Sequence, residues 1–204
     1  MKTRMMLGTA LLGTLLSACG GLRSKAEPDH TYLLRAAPAQ GPAAVPGVLA
    51  VLLPEVQPGL YTDRIMLTRN GQELDHLAAS RWGEALPHVV AALAVQSLAG
   101  GDGFANVVES GSANVASDYQ LLLTVRHFEA AYDSSGAPPV IHVGFECALT
   151  ADTPRRILGR CDAAAEEPAG ENRVGAIVAA MERAAQRALA EVRSEAVAAA
   201  RAAR

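Results

Sequence analysis

The alternating side chains of residues 141–150 constrain the fold more than any other part of the chain. One set is apolar (Ile141, Val143, Phe145, Cys147 and Leu149), and the residues between them are mostly small or polar. Because successive side chains of a strand point to opposite faces, the alternation predicts a strand with one buried face. A turn at 152–154 and a partner strand over 156–162 complete a predicted antiparallel hairpin. In that partner, Cys161 is expected to share a face with Ile157 and Gly159.

Further strands are predicted from apolar runs and alternation that end at turn residues. They cover residues 32–34, 47–53, 63–69, 73–78, 104–109 and 118–130. The Asn70-Gly71 pair is typical of a hairpin turn. In the longest segment, strict alternation places His127 and Glu129 on the same face as Val125, with Phe128 on the other face.

Two segments have the spacing of helices. Ser80 is expected to cap a helix that begins near Arg81, in which Pro87 indicates a break or a restart. The last thirty or so residues carry an apolar stripe that ends at Val192, so the final turns are expected to be exposed. These elements predict an α+β fold: a single, mainly antiparallel sheet with a mid-chain helix and a long C-terminal helix packed on one face.

The N-terminus has the layout of a secretory signal peptide: Lys2 and Arg4, an apolar run, and small residues before Cys19. The Leu-Ser-Ala-Cys ending resembles the lipobox of bacterial lipoproteins, which implies cleavage before Cys19 and acylation of that residue, including palmitate. The alternative is a transmembrane helix over 5–22, which is long enough but weakly apolar. We therefore expect a signal peptide at 1–18, a lipidated tether at 19–30 and one domain at 31–204.

The charge of the mature chain disfavours nucleic-acid binding. Lys2 and Arg4 are the charged residues in the segment removed, so 16 of the 18 basic side chains remain against all 21 acidic ones, a net charge of −5. A basic binding face is therefore not expected. Of the chain, 50% is hydrophobic, which indicates a globular domain rather than a disordered one.

The sequence predicts no enzyme, no catalytic residue, no cofactor and no metal site. The five histidines (His30, His76, His88, His127 and His142) lack ligand spacing, and a Gly-x-Ser-x-Gly elbow is absent. A periplasmic hydrolase is therefore the least favoured function. Cys147 and Cys161 are a candidate disulfide in an oxidising compartment; two free thiols remain the alternative.

Several short motifs occur in an order that resembles the PqiC/YmbA family of ABC-type transport auxiliary lipoproteins. They are Tyr32-Leu33, Leu53-Pro54, Leu60-Tyr61-Thr62-Asp63-Arg64, Trp82-Gly83-Glu84-Ala85-Leu86, Asp118-Tyr119-Gln120-Leu121 and Val125-Arg126-His127-Phe128-Glu129. The resemblance implies a lipid-anchored periplasmic subunit serving transporters with MCE (mammalian cell entry) domains, which move phospholipid or other apolar solutes. The implied partners are the membrane, an MCE-domain protein and the system's permease and ATPase; a homo-oligomer is also compatible.

Tyr61, Asp63 and Arg64 are the candidate partner-binding residues, because they lie where a loop enters a strand. The alternative is that Asp63 and Arg64 form a local ion pair that supports the loop. Trp82 is expected in the core, and Arg126 and Glu129 are expected to be solvated. Gly20 after the cysteine favours the outer membrane over the inner one. A structural outer-membrane lipoprotein without a transport partner is the alternative function.

Overall fold

The fold is α+β, as the sequence predicts. A computed structural model describes residues 28–37, 41–42, 45–111, 116–152 and 154–204, and within these residues the chain forms nine strands and two helices. The strands are β1 (His30–Tyr32), β2 (Val45–Val51), β3 (Glu55–Val56), β4 (Arg64–Arg69), β5 (Glu73–Trp82), β6 (Phe104–Glu109), β7 (Tyr119–Tyr132), β8 (Val140–Ala151) and β9 (Arg156–Pro168). The helices are α1 (Leu86–Leu98) and α2 (Val174–Ala202).

Strand β7 is the centre of the sheet. Along one edge it pairs with antiparallel β8, which in turn pairs with antiparallel β9. Along the other edge it pairs with β2, β3 and β4 in succession, each of them parallel. The sheet extends from β2 to parallel β6, and from β4 through antiparallel β5 to parallel β1. Antiparallel pairings hold most of the paired residues, so the sheet is mainly antiparallel.

A bulge in β7 corrects the predicted assignment of its faces. The register shifts between Val125 and His127, so two residues of β7 oppose one residue of β8. Beyond the bulge Phe128, and not His127, points into the core, where its ring meets Trp82 edge-to-face at 6.2 Å. Alternation alone could not predict this, because one inserted residue reverses the faces of every residue after it.

Helix α1 begins later than the sequence predicts. Strand β5 continues through Trp82, and the helix starts at Leu86 with Pro87 in its first turn. Proline is tolerated there because the first N–H groups of a helix have no intrahelical partner. The Ser80 hydroxyl donates to the carbonyl of Ala78, so Ser80 is a strand residue and not a helix cap.

Helix α2 packs on the same face of the sheet as α1 and touches both α1 and strands β7 to β9. Its buried stripe continues past Val192 to Ala200, so the prediction of exposed final turns is wrong. Small side chains let the helix and the sheet approach closely. Gly159 of β9 has no Cβ, and one added there would lie 2.7 Å from the Cβ of Ala199 in α2. The C-terminal turns are therefore part of the core.

Residues 33–37, which we call the strap, connect the sheet edge to α2. The backbone N–H of Arg35 donates to Glu182 Oε2 at 2.8 Å, and its carbonyl accepts a 2.8 Å hydrogen bond from Gln186 Nε2. Because Glu182 and Gln186 are one helical turn apart, they hold this backbone from one face of α2. Strand β1 begins at His30, inside the segment predicted as tether, while the predicted signal peptide and Cys19 lie outside the described residues.

Candidate functional site

The loop of residues 57–63, between β3 and β4, carries the candidate partner-binding residues. Its backbone is fixed to the end of β5 and the start of α1, because Trp82 N–H donates to the Asp63 carbonyl at 2.7 Å and Leu86 N–H to that of Thr62 at 2.9 Å. Leu60 is buried beneath the loop, whereas 66% of Tyr61 is exposed. A rigid backbone therefore presents an exposed aromatic ring.

Asp63 and Arg64 each form an ion pair, but not with each other. Asp63 Oδ2 lies 3.1 Å from Arg81 Nη2, and Arg64 Nη1 lies 2.9 Å from Asp29 Oδ2. The alternative of an ion pair between Asp63 and Arg64 is therefore wrong, because each residue pairs with a different side chain. Successive strand residues point to opposite faces, which keeps two neighbouring side chains apart. Instead, the pairs connect the loop to β5 and to the residue before β1.

An apolar groove lies at the same end of the sheet. Its pocket has a volume of about 170 Å³ and separates the strap from α1. Its lining includes Tyr32, Leu33, Leu34, Val89, Ala92 and Leu93. Leu33 is 75% exposed, the most of any large hydrophobic residue that the structure describes, and Tyr61 is next. We call Leu33, Tyr61 and the groove the strap-end surface. Of these, only Tyr61 was a candidate from the sequence, because the exposure of Leu33 depends on the preceding strand, β1, lying at the edge of the sheet.

The other face of the sheet carries a polar cluster on β7 and β8. Arg126 Nη2 donates to Glu146 Oε2 at 2.5 Å. This hydrogen bond raises the pKa of Arg126 and lowers that of Glu146. Nearby, Glu129 is 8% exposed, and its two oxygens meet the Phe128 N–H at 2.6 Å and His127 Nδ1 at 2.9 Å. The expectation of a solvated Glu129 is therefore wrong.

The two cysteines lie opposite each other in the β8–β9 hairpin, joined by a disulfide with the sulfur atoms 2.12 Å apart. If the pairing next to the turn continued without a bulge, Cys147 would lie opposite Arg160. A bulge between Leu149 and Thr150 places an extra residue, Leu158, in β9 and moves Cys161 into register. The same bulge leaves Ile157 54% exposed, so the prediction that Ile157 shares a face with Cys161 is wrong.

Two negative findings apply to the described residues alone. Among them, no group of three or more His, Cys, Asp or Glu side chains is arranged so that it could hold a metal ion. Neither helix that they form is long and apolar enough to cross a membrane.

Comparison with solved structures gives the same fold. Protein XCC0632 from Xanthomonas campestris, of the DUF330 family, superposes with a TM-score of 0.76 at 18% identity, covering 85% of this chain and 98% of that one. CT253 from Chlamydia trachomatis matches with a TM-score of 0.52 at 9% identity, covering 78% and 99%. At these identities the likeness is one of fold. No curated protein matches the sequence.

A family model described as "ABC-type transport auxiliary lipoprotein component" matches residues 32–193. The match begins in β1, ends inside α2, and includes the loop that carries Tyr61, Asp63 and Arg64. It confirms the resemblance to the PqiC/YmbA lipoproteins that the motif order indicated. The chain therefore belongs to the family of ABC-type transport auxiliary lipoprotein components.

Proposed function

We propose that this protein is the lipid-anchored auxiliary subunit of an MCE/ABC-type system that moves phospholipid or other apolar solutes between the two membranes. The observation that carries the proposal is the family match over residues 32–193, which spans nearly the whole folded domain. The subunit is anchored through acylated Cys19 at the periplasmic face of the outer membrane. It acts by docking and assembly and not by covalent chemistry.

The strap-end surface is the proposed docking site for the MCE-domain protein. Exposed aromatic and aliphatic side chains on a rigid backbone lose little conformational entropy when a partner covers them. Tyr61 has this setting, because hydrogen bonds fix the loop on both sides of it. Buried aromatic anchors often dominate the energy of protein interfaces. The groove beside Leu33 adds apolar area that a partner's side chains can fill.

The transport role is tested by affinity purification of the lipidated protein from mildly solubilised native membranes, followed by mass spectrometry. We expect an MCE-domain protein, or a permease and ATPase pair, to be recovered with it. Recovery of bulk outer-membrane proteins alone would contradict the proposal and favour a structural lipoprotein.

The docking site is tested in the same experiment with Tyr61→Ala. We expect at least a tenfold loss of the co-purified partner, with a free energy of unfolding within about 0.5 kcal/mol of wild type, as is usual for surface substitutions. Ile157→Ala is the matched control, because Ile157 is also an exposed apolar residue but lies on β9. Equal recovery from both variants would contradict the assignment of the surface.

A further inference from the structure

Two histidines lie side by side on the face of the sheet that is remote from the helices. His127 opposes Gly144 and His142 opposes Glu129, so the two rings are diagonal neighbours across β7 and β8. Their centroids are 6.5 Å apart. The His127 ring lies against Gly144, since a Cβ added there would be in van der Waals contact with His127 Cδ2 at 3.4 Å. Both rings line a pocket of about 330 Å³ and remain partly exposed.

A carboxylate lies beside Nδ1 of each ring. Glu129 Oε1 is 2.9 Å from Nδ1 of His127, and Glu166 Oε1 is 3.7 Å from Nδ1 of His142. An ionised carboxylate only accepts hydrogen bonds, so Glu129 favours the His127 tautomer that carries its proton on Nδ1 and leaves the lone pair of Nε2 free. Glu166 lies beyond hydrogen-bond distance of His142 and acts on that ring through its charge alone. Paired carboxylates of this kind orient the histidine ligands of protein metal sites.

From this geometry we propose a binding site for a divalent transition metal ion, with Nε2 of His127 and Nε2 of His142 as the protein ligands. Imidazole nitrogens suit Zn²⁺, Cu²⁺ and Ni²⁺. Water completes the coordination, because no arrangement of three or more ligating side chains in the described part of the chain could hold the ion. Glu129 is a positioning residue, held in place by the Phe128 N–H.

The distance between the rings is compatible with shared coordination. With metal–nitrogen bonds of about 2.0–2.1 Å, two rings on one tetrahedral ion have centroids about 5 Å apart. The rings must therefore approach by about 1.5 Å, a movement that rotation of the half-exposed His127 side chain supplies. The surrounding charge also favours a cation: four carboxylates (Glu129, Glu146, Asp162 and Glu166) lie on this face with the two guanidinium groups of Arg126 and Arg160.

The test is isothermal titration calorimetry with ZnCl₂ on the full-length lipidated protein in detergent, carrying no histidine tag. We expect one ion per chain, and at least tenfold weaker binding for His127→Ala and for His142→Ala. His76→Ala and His88→Ala are matched controls, because these histidines lie on β5 and α1. Thermal unfolding verifies that each variant is folded. Absence of binding by wild type, or unchanged binding by the His127 and His142 variants, would overturn the proposal.

Electron paramagnetic resonance with Cu²⁺ counts the ligands independently. We expect hyperfine coupling to two nitrogens in wild type and to one in either histidine variant. Glu129→Gln should keep two coupled nitrogens while it weakens Zn²⁺ binding about tenfold to a hundredfold, as loss of an orienting partner does. A single coupled nitrogen in wild type would contradict the paired site. These readouts do not depend on the transport partner.

Discussion

At the scale of single residues, Glu167 is an acid that couples stability to pH. It accepts a 2.7 Å hydrogen bond from Arg183 Nε and lies 2.5 Å from Arg187 Nη2, so it joins β9 to α2. The hydrogen bond from Arg183, aided by the charge of Arg187, lowers the pKa of Glu167 below its ordinary 4.5. A lowered folded-state pKa stabilises the fold above the unfolded-state value and loses that effect as the pH falls through the folded-state value.

We therefore predict that Glu167→Gln makes the free energy of unfolding less dependent on pH between about pH 5 and pH 3, the range of carboxylate titration. The measurement is urea unfolding at a series of pH values. Glu171→Gln is the control, because the ion pair of Glu171 with Arg173 is mostly exposed. Parallel pH profiles for wild type and Glu167→Gln would contradict the role of Glu167.

The face of the sheet on which a side chain lies was predictable where the strand alternates regularly, and was not predictable next to a bulge. Trp82 is 1% exposed, in agreement with its expected place in the core. Phe128 and Ile157 were assigned to the wrong faces because each follows or precedes an inserted residue. The available signals were isolated glycines, because Gly159 follows the inserted residue of β9 and Gly144 lies opposite the bulge of β7. The paired histidines were missed for another reason: they are 15 residues apart and meet only through strand pairing.

At the scale of secondary-structure elements, the β8–β9 hairpin carries the disulfide. We predict that the double variant Cys147→Ala/Cys161→Ala is about 2–4 kcal/mol less stable than wild type, because the bond closes a loop of 14 residues in the unfolded chain. Urea unfolding with and without reductant measures the effect. Reductant should destabilise wild type and leave the double variant unchanged. Two thiols that react with iodoacetamide in the unreduced, denatured protein would refute the bond.

The strap depends on two side chains of α2. We predict that Glu182→Ala/Gln186→Ala raises the amide hydrogen exchange of residues 33–37 about thirtyfold, since the two hydrogen bonds lost contribute about 1 kcal/mol each. Global stability should fall only slightly, because the strap ends at the sheet edge. Hydrogen exchange followed by mass spectrometry resolves this segment. Glu191 is an exposed acid on the same helix, so Glu191→Ala should leave the exchange unchanged. An equal rise in both variants would contradict the role of Glu182 and Gln186 in holding the strap.

Most element types were predictable from the sequence, but the short strand β3 was not predicted and some element ends were misplaced. The start of α1 was placed near Arg81 because Ser80 looks like a cap, yet strand pairing with β4 and β1 extends β5 to Trp82. The buried end of α2 was missed because alanine gives a weak hydrophobic signal. Alanines at 196 and 200 are buried by close approach to the sheet, which depends on its shape and not on their hydrophobicity.

At the scale of the whole molecule, the predicted anchor decides where the domain works. We predict that Cys19→Ala leaves the precursor uncleaved and without palmitate, and removes the protein from the outer-membrane fraction, because the acylated thiol is the expected cleavage signal. Palmitate labelling and density-gradient fractionation measure both effects. Thermal unfolding of the variant should match wild type, since Cys19 precedes the first strand. Normal cleavage and lipidation of the variant would contradict the assignment.

The overall architecture could be predicted only in part. Sequence patterns gave the α+β class, the hairpins and the two helices. They gave no information on which strands lie beside β7, since its parallel partners β2, β3 and β4 have no local signal for lateral order. The strap-end surface also depends on this order, because it forms where β1, β5 and the loop before β4 end together.

The position of β7 in the chain sets the order in which the protein can fold. The pairing partner of β3 is β7, and β2 and β4 also need β7 to join one sheet. The first half of the domain therefore cannot complete its sheet until synthesis has passed residue 132. Pairings between strands so distant in sequence slow folding, because their loop entropy is lost before the contacts form. If the chain is exported unfolded, as the predicted signal peptide implies, this delay keeps the N-terminal half open during export.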